Sequence, residues 1–148
     1  MPHSIGVDAQ DNVYVADRGN RRIQVFDTNG KVLRQITIDV PFDPNTKPTI
    51  GNRPDQKPPV GTAQTMVAGS PWALCITPGP NQALYASDAY PGRIYKLSLE
   101  GKVLGVLSQS GKQLKQFGWI HEIACPTENT LIVAELLNWR VQKLELHP

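Results

Sequence analysis

Charge of one sign is what this chain most conspicuously lacks. Lysine and arginine number 15 against 13 aspartates and glutamates, a formal net charge of +2. The basic residues are also scattered along the sequence. A nucleic-acid interface draws its affinity from a concentrated basic face, so nucleic acid is not an expected partner. Long apolar runs are missing too. Nothing approaches the ~20 residues that span a bilayer, so no membrane span is expected. The first ten residues, MPHSIGVDAQ, carry neither a charged n-region nor an apolar h-region, and no signal peptide is expected in this chain. Catalytic signatures are equally scarce. There is no nucleophile motif, phosphate loop or metal-binding cysteine pair, and Ser4, Ser70 and Ser110 have no general base at a recognisable spacing. Nothing here demands an enzyme, and the reading leans away from one.

Turn formers are abundant. Thirteen prolines and twelve glycines in 148 residues suit a chain of short strands joined by many turns. The hydrophobic fraction of 40% and charged fraction of 19% are ordinary for a globular protein, and the length suffices for one domain with a real core.

The strongest signal is internal repetition. Residues 2–26 read PHSIGVDAQDNVYVADRGNRRIQVF, residues 71–97 read PWALCITPGPNQALYASDAYPGRIYKL, and residues 120–144 read IHEIACPTENTLIVAELLNWRVQKL. Each holds a short apolar strand, a polar turn, a second apolar strand ending in an acid, a loop, and an arginine that opens a third strand. The acid and arginine keep one spacing: Asp17 to Arg22, Asp88 to Arg93, Glu135 to Arg140. Repeats of ~40–50 residues made of short strands read as blades of a β-propeller. The fold class is therefore all-β. Blade 1 covers 2–39, a long loop 40–69, blade 2 70–108 and blade 3 119–147.

In blade 1 the inner strand is expected near residues 4–7, followed by strands near 13–16 and 22–27. The turn Thr28-Asn29-Gly30 then supplies the positive φ that hairpins favour, and residues 31–38 return as the outermost strand. Blade 2 repeats this to the end, since KVLRQI and KVLGVL match as fourth strands. Blade 3 stops after its third strand, near residues 141–146, which predicts an open edge. The 41–69 segment holds six prolines and almost no apolar period. It reads as a long irregular loop, a mobile surface excursion or a lid over one mouth of the channel. Propellers typically have 4–8 blades, so three are half of a six-bladed ring. Either two chains close one ring as a homodimer or the sequence is a piece of something longer. An isolated half-ring would expose two apolar blade faces.

Cys75 and Cys125 differ by one position in register. Cys75 aligns with Gly6 and Ala124, and Cys125 with Val7 and Ile76. One step along a strand turns a side chain to the other face, so the two are expected as separate buried small hydrophobes and not as a bridge.

The first copy resembles an NHL repeat in its Pro-His start, its Asp-x-x-x-x-Arg pair and its Ile-Gln-Val-Phe strand. The third copy fits well and the second more loosely. Within that group the chain is similar to the six-bladed propellers related to peptidyl-α-hydroxyglycine α-amidating lyase. The resemblance implies histidines at the starts of inner strands converging on a zinc ion in the channel, with a tyrosine and an arginine nearby. The matching positions here are His3, Trp72 and His121, so two histidines are present and the middle one is tryptophan. Zinc catalytic sites generally use three protein ligands, so one chain does not supply the set. A twofold dimer would ring the channel with two copies of each histidine. Zinc or calcium is the cofactor this leaves open. Related full-length proteins are often secreted.

His3 and His121 share a register position, read either as a hydrogen-bonded repeat start or as metal or ligand contacts. His147 is expected in a solvated tail. Trp72 would face the channel and could stack on a flat ligand, whereas Trp139 is expected to pack between blades. The acid–arginine pairs recur in every copy. A catalytic group is needed once and a scaffold contact in each blade, so the pairs read as structural ties between strands. Arg18, Arg21 and Tyr90 vary between copies and stand on loops, which makes them better candidates for recognition at the channel mouth. The expected function is a propeller binding module for a protein or small-molecule ligand. The alternatives are a metal-dependent lyase-like enzyme at a dimer axis built from His3, His121 and Tyr90, and a silent half of a longer secreted propeller.

Overall fold

The computed structural model describes residues 1–43 and 67–147. The core of the long-loop expectation, 44–66, and with it the lid, lies outside the described residues. Eleven strands are present among the described residues: β1 Pro2–Val7, β2 Val13–Asp17, β3 Arg22–Phe26, β4 Val32–Ile36, β5 Pro71–Ile76, β6 Leu84–Asp88, β7 Ile94–Leu97, β8 Val103–Leu107, β9 Ile120–Thr127, β10 Thr130–Glu135 and β11 Arg140–Glu145. They form antiparallel meanders β1-β2-β3-β4 and β5-β6-β7-β8 and a three-stranded sheet β9-β10-β11. These are three propeller blades, and the last lacks its fourth strand.

The sheets are tied together by their faces. Tyr14, Ile23 and Val25 of blade 1 pack against Leu74, Leu84 and Leu97 of blade 2 in one core. Ala73, Tyr85 and Ile94 on the other face of blade 2 pack against Ile123, Cys125 and Val133 of blade 3 in a second. Blade 2 is covered on both sides, so β6 is buried along its whole length. That is why its sequence, LYASD, lacks the clean alternation of a half-exposed strand. The hairpin turn of blade 2 needs its glycine twice over. Gly101 has φ +98°, and a Cβ there would stand 2.8 Å from the Ile36 side chain of blade 1, so only glycine permits both the turn and the contact.

Two expectations are corrected. Cys75 and Cys125 are joined as a disulfide with Cα atoms 6.0 Å apart. The two do point to opposite faces of their own blades, and this is what brings them together. Positions equivalent to Cys75 face the next blade and those equivalent to Cys125 face the preceding one, so on successive blades they meet. Alternation along a strand sets the face of each cysteine, and the stacking of blade 2 on blade 3 makes the two faces meet. Trp139, expected between blades, is 82% exposed, since among the described residues no further blade follows blade 3.

Apolar side chains are exposed on both outer blade faces, joined on blade 3 by Lys143 and Glu145, which share the alternation of Val141 and pair at 2.7 Å. Ile5 and Val7 on blade 1 are 66% and 54% exposed, and Val141 on blade 3 is 65% exposed. In register, Ile5 and Val7 match Leu74 and Ile76, which contact the preceding blade. Val141 matches Ile23 and Ile94, which contact the following one.

Candidate site where the inner strands begin

The inner strands β1, β5 and β9 start side by side, and the residue after each start falls into one cluster. The His3 ring lies 4.8 Å from Trp72 and 4.8 Å from His121, edge to face in both cases. Trp72 in turn meets Trp119 at 4.8 Å, nearly perpendicular, and His121 at 6.0 Å. Edge-to-face rings at these separations are the favoured aromatic geometry. The Arg18 guanidinium, from the 3-10 turn that follows β2, stacks 3.7 Å above the Trp72 ring. Blade packing buries Trp72 while His121 stays open to solvent.

Hydrogen bonding fixes the polar edge of this box. His3 Nδ1 lies 2.9 Å from the Trp72 carbonyl oxygen. A carbonyl only accepts, so Nδ1 carries the proton and Nε2 keeps its lone pair. Burial lowers the His3 pKa below its ordinary value, with the Arg18 charge and His121 acting the same way, against the pull of the Trp72 carbonyl. The imidazole is therefore held neutral near pH 7. Trp119 adopts φ +57°, a left-handed conformation rare for a bulky residue. Among the described residues its indole Nε1–H, like Arg18 Nε, is buried with no hydrogen-bond partner. An unmatched buried donor costs roughly 1–3 kcal/mol, so both groups are held at a cost to the fold.

The other sequence candidates lie apart from it. Arg21 donates from Nη2 to the Ala68 carbonyl at 3.0 Å and is exposed. Tyr90 packs edge to face on Phe42 at 5.5 Å. The acid–arginine pairs sit at the same blade end in all three copies: Arg22 to Asp17 at 3.1 Å, Arg93 to Asp88 at 3.7 Å and Arg140 to Glu135 at 2.6 Å. Each acid also collects local donors. Asp88 accepts from the Gly69, Gly92 and Arg93 backbones and from Tyr95, and its complete burial pushes its pKa up to about 6 against those bonds. Asp17 goes the other way. Burial opposes ionisation there too, but the terminal ammonium, Asn20 and Arg22 outweigh it and hold the carboxyl down at about 2. The arginines reach past their acids to loop carbonyls, Arg93 to Val40 and Pro41, Arg140 to Lys112, Gln113 and Gln116. They clamp the crossing between blades.

Trp119 is the site residue that sequence reasoning missed. It stands one position before the repeat begins, so it has no register partner to mark it. Among the described residues no group of three or more histidine, cysteine, aspartate or glutamate side chains could hold a metal ion. No helix there is long and apolar enough to cross a membrane.

Residues 1–26 match the family model of the NHL repeat. A 27-residue segment is 63% identical to NHL repeat-containing protein 3 of Homo sapiens, and the same holds for the protein of that name from Mus musculus. The segment is 18% of this chain and 8% of those proteins. Among solved structures, the WD40 repeats of RRP9 superpose with a TM-score of 0.56 at 10% identity, over 89% of this chain and 30% of that one. Virginiamycin B lyase from Staphylococcus aureus, solved with quinupristin, gives 0.53 at 12% identity over 99% of this chain and 41% of its own. The three blades thus span less than half the length of these structures. The fold is that of β-propeller blades, and the first of them opens with a segment that matches an NHL repeat.

Proposed function

We propose that the chain is an NHL-type propeller binding module whose ligand enters the box of His3, Trp72, Trp119 and His121 at the channel mouth. The observation that carries this reading is the convergence of four rings and the Arg18 guanidinium from three separate blades, with two buried N–H donors unmatched. A guest with a flat apolar body and a hydrogen-bond acceptor suits that lining. Benzoate serves as a probe, followed through the indole N–H resonances. Shifts at Trp72 and Trp119 that vanish in Trp72→Ala support the box as the site. Unmoved indole signals, or shifts confined to Trp139, overturn it.

The ring is completed by a second copy. Ile5 and Val7 on one end and Val141 on the other occupy positions that, in the interfaces between blades 1 and 2 and between blades 2 and 3, face each other. Blade 3 of one chain therefore fits blade 1 of its partner head to tail, and two such contacts close a six-bladed ring.

A second reading, a lyase-like enzyme with zinc at the dimer axis, draws on the His3–His121 pair. The Nε2 lone pair of His3 is free to bind a metal, and its Nδ1–H is oriented by a carbonyl as metal-bound histidines commonly are. Two imidazoles suit zinc better than calcium, which takes oxygen ligands. They fall one short of the usual three protein ligands, so the remainder would have to come from the partner half. Zinc titration by calorimetry, repeated with His121→Ala, separates the readings. Stoichiometric binding lost in the variant supports zinc, and no heat of binding removes it.

A further inference from the structure

We propose that the Cys75–Cys125 bridge is a redox control on the geometry of the aromatic box, and that its reduction by a dithiol loosens the box around a guest. The inference rests on the reading of that box as the binding site. The bridge joins β5 of blade 2 to β9 of blade 3, strands that belong to different sheets. The same two strands carry rings that meet across the interface. Trp72 stands three residues before Cys75 on β5, and His121 four before Cys125 on β9, with Trp119 just ahead of that strand. At the ~3.3 Å rise of a strand, the cross-link lies ~10–13 Å further along from the rings.

The bridge is no part of the blade scaffold. A contact that every blade needs recurs in each copy, as the acid–arginine pairs do. Between blades 1 and 2 the equivalent positions are Gly6 and Ile76, where a Cβ on Gly6 would meet the Ile76 side chain at 3.4 Å. Plain packing suffices there. That interface has hydrogen bonds as well: His3 Nδ1 donates to the Trp72 carbonyl at 2.9 Å, and the Leu74 N–H to Ser4 Oγ at 3.1 Å. Ala73 holds the place of Ser4 on β5 and has no polar group to repeat the second bond on β9. The β9 side of the box is also held at a cost. Trp119 is left-handed at φ +57°, and its Nε1–H is buried and unmatched. Freed from the link, β9 can shift against β5 and relieve both, which parts Trp119 and His121 from Trp72.

The two sulfurs differ in access. Cys125 is only 7% exposed, whereas Cys75 is half-buried. The thiolate of a dithiol attacks Cys75 Sγ, the bond between the sulfurs breaks, and Cys125 leaves as a thiolate that takes up a proton. The second thiol of the reagent then attacks its own sulfur in the mixed disulfide and frees Cys75, to which its proton passes. The protein disulfide gains two electrons and the dithiol becomes its own disulfide. Such a change acts on the site through packing.

The test follows the indole N–H resonances of the whole chain without ligand, first oxidised and then reduced with dithiothreitol. Trp72 and Trp119 should shift while the exposed Trp139 stays in place, with an unchanged far-UV circular dichroism spectrum. Titration with benzoate should show at least tenfold weaker binding after reduction, and reoxidation should restore it. The double variant Cys75→Ser, Cys125→Ser should reproduce the reduced state and ignore dithiothreitol. Unmoved Trp72 and Trp119 signals, equal benzoate dissociation constants in the two states, or a bridge that resists the dithiol in the folded chain would each overturn the proposal. So would a chain that unfolds on reduction, since the bridge would then be structural. Failure of benzoate to bind the oxidised chain would sink the reading of the box as a binding site, and the ligand-free indole signals would still decide the redox control.

Discussion

His3 is the residue on which the chemistry of the site turns. Its folded pKa is depressed, chiefly by burial, so the neutral ring is the form the folded state prefers. Stability from this group is present above the unfolded value of ~6.5 and is lost as pH falls through the lowered folded value. Proton NMR of the imidazole should give a His3 midpoint below that of a model histidine, and a midpoint at or above 6.5 would contradict the burial account. Glu135 is the residue on which blade 3 turns. Its side chain is fully buried and accepts from Arg140, Asn138, Gln142 and the Gly118 backbone. Removing the charge leaves those donors, Arg140 above all, short of their acceptor. Glu135→Gln is expected to cost about 3 kcal/mol, read from urea unfolding midpoints at unchanged m-value. A loss below about 1 kcal/mol would mean that the pair only decorates the blade.

At the scale of the element, the meander order and even the missing fourth strand were legible, because hairpin turns and the fixed acid–arginine spacing write the blade directly into the sequence. What was not legible depends on how sheets stack. The faces of Cys75 and Cys125 follow from strand alternation, but that they confront each other follows only from laying one blade on the next. Trp119 carries no repeat register, and its role arises from a left-handed backbone that no composition signals. The position of His3 beside His121 was open to reading because both begin an inner strand. The disulfide spans 50 residues of sequence and ties blade 2 to blade 3, and such bridges persist in oxidising surroundings. Replacing both cysteines with serine should lower stability by roughly 2–4 kcal/mol, seen as a lower thermal midpoint. Thiol titration of the denatured, unreduced wild-type chain should find no free sulfhydryl. Two free thiols would return the cysteines to independent packing.

For the whole molecule, the balance is between a buried middle blade and two bare ends. Blade 2 is packed on both faces, whereas Ile5, Val7 and Val141 lie in the open at positions that are covered elsewhere in the same chain. Apolar positions that are exposed in one repeat and covered in another mark a surface suited to a further contact. The proposed head-to-tail closure by a second copy would cover both ends at once and would place two histidine–tryptophan boxes around one channel. Ile5→Asp, at an exposed position, should leave the three blades folded while opposing closure. The most direct measurement is solution mass by light scattering over a hundredfold range of concentration, for the wild-type chain and for Ile5→Asp. The account predicts twice the chain mass for the wild type and a single chain mass for the variant. A wild-type chain that stays monomeric throughout, or a mass that climbs without limit, would contradict the closed six-bladed ring.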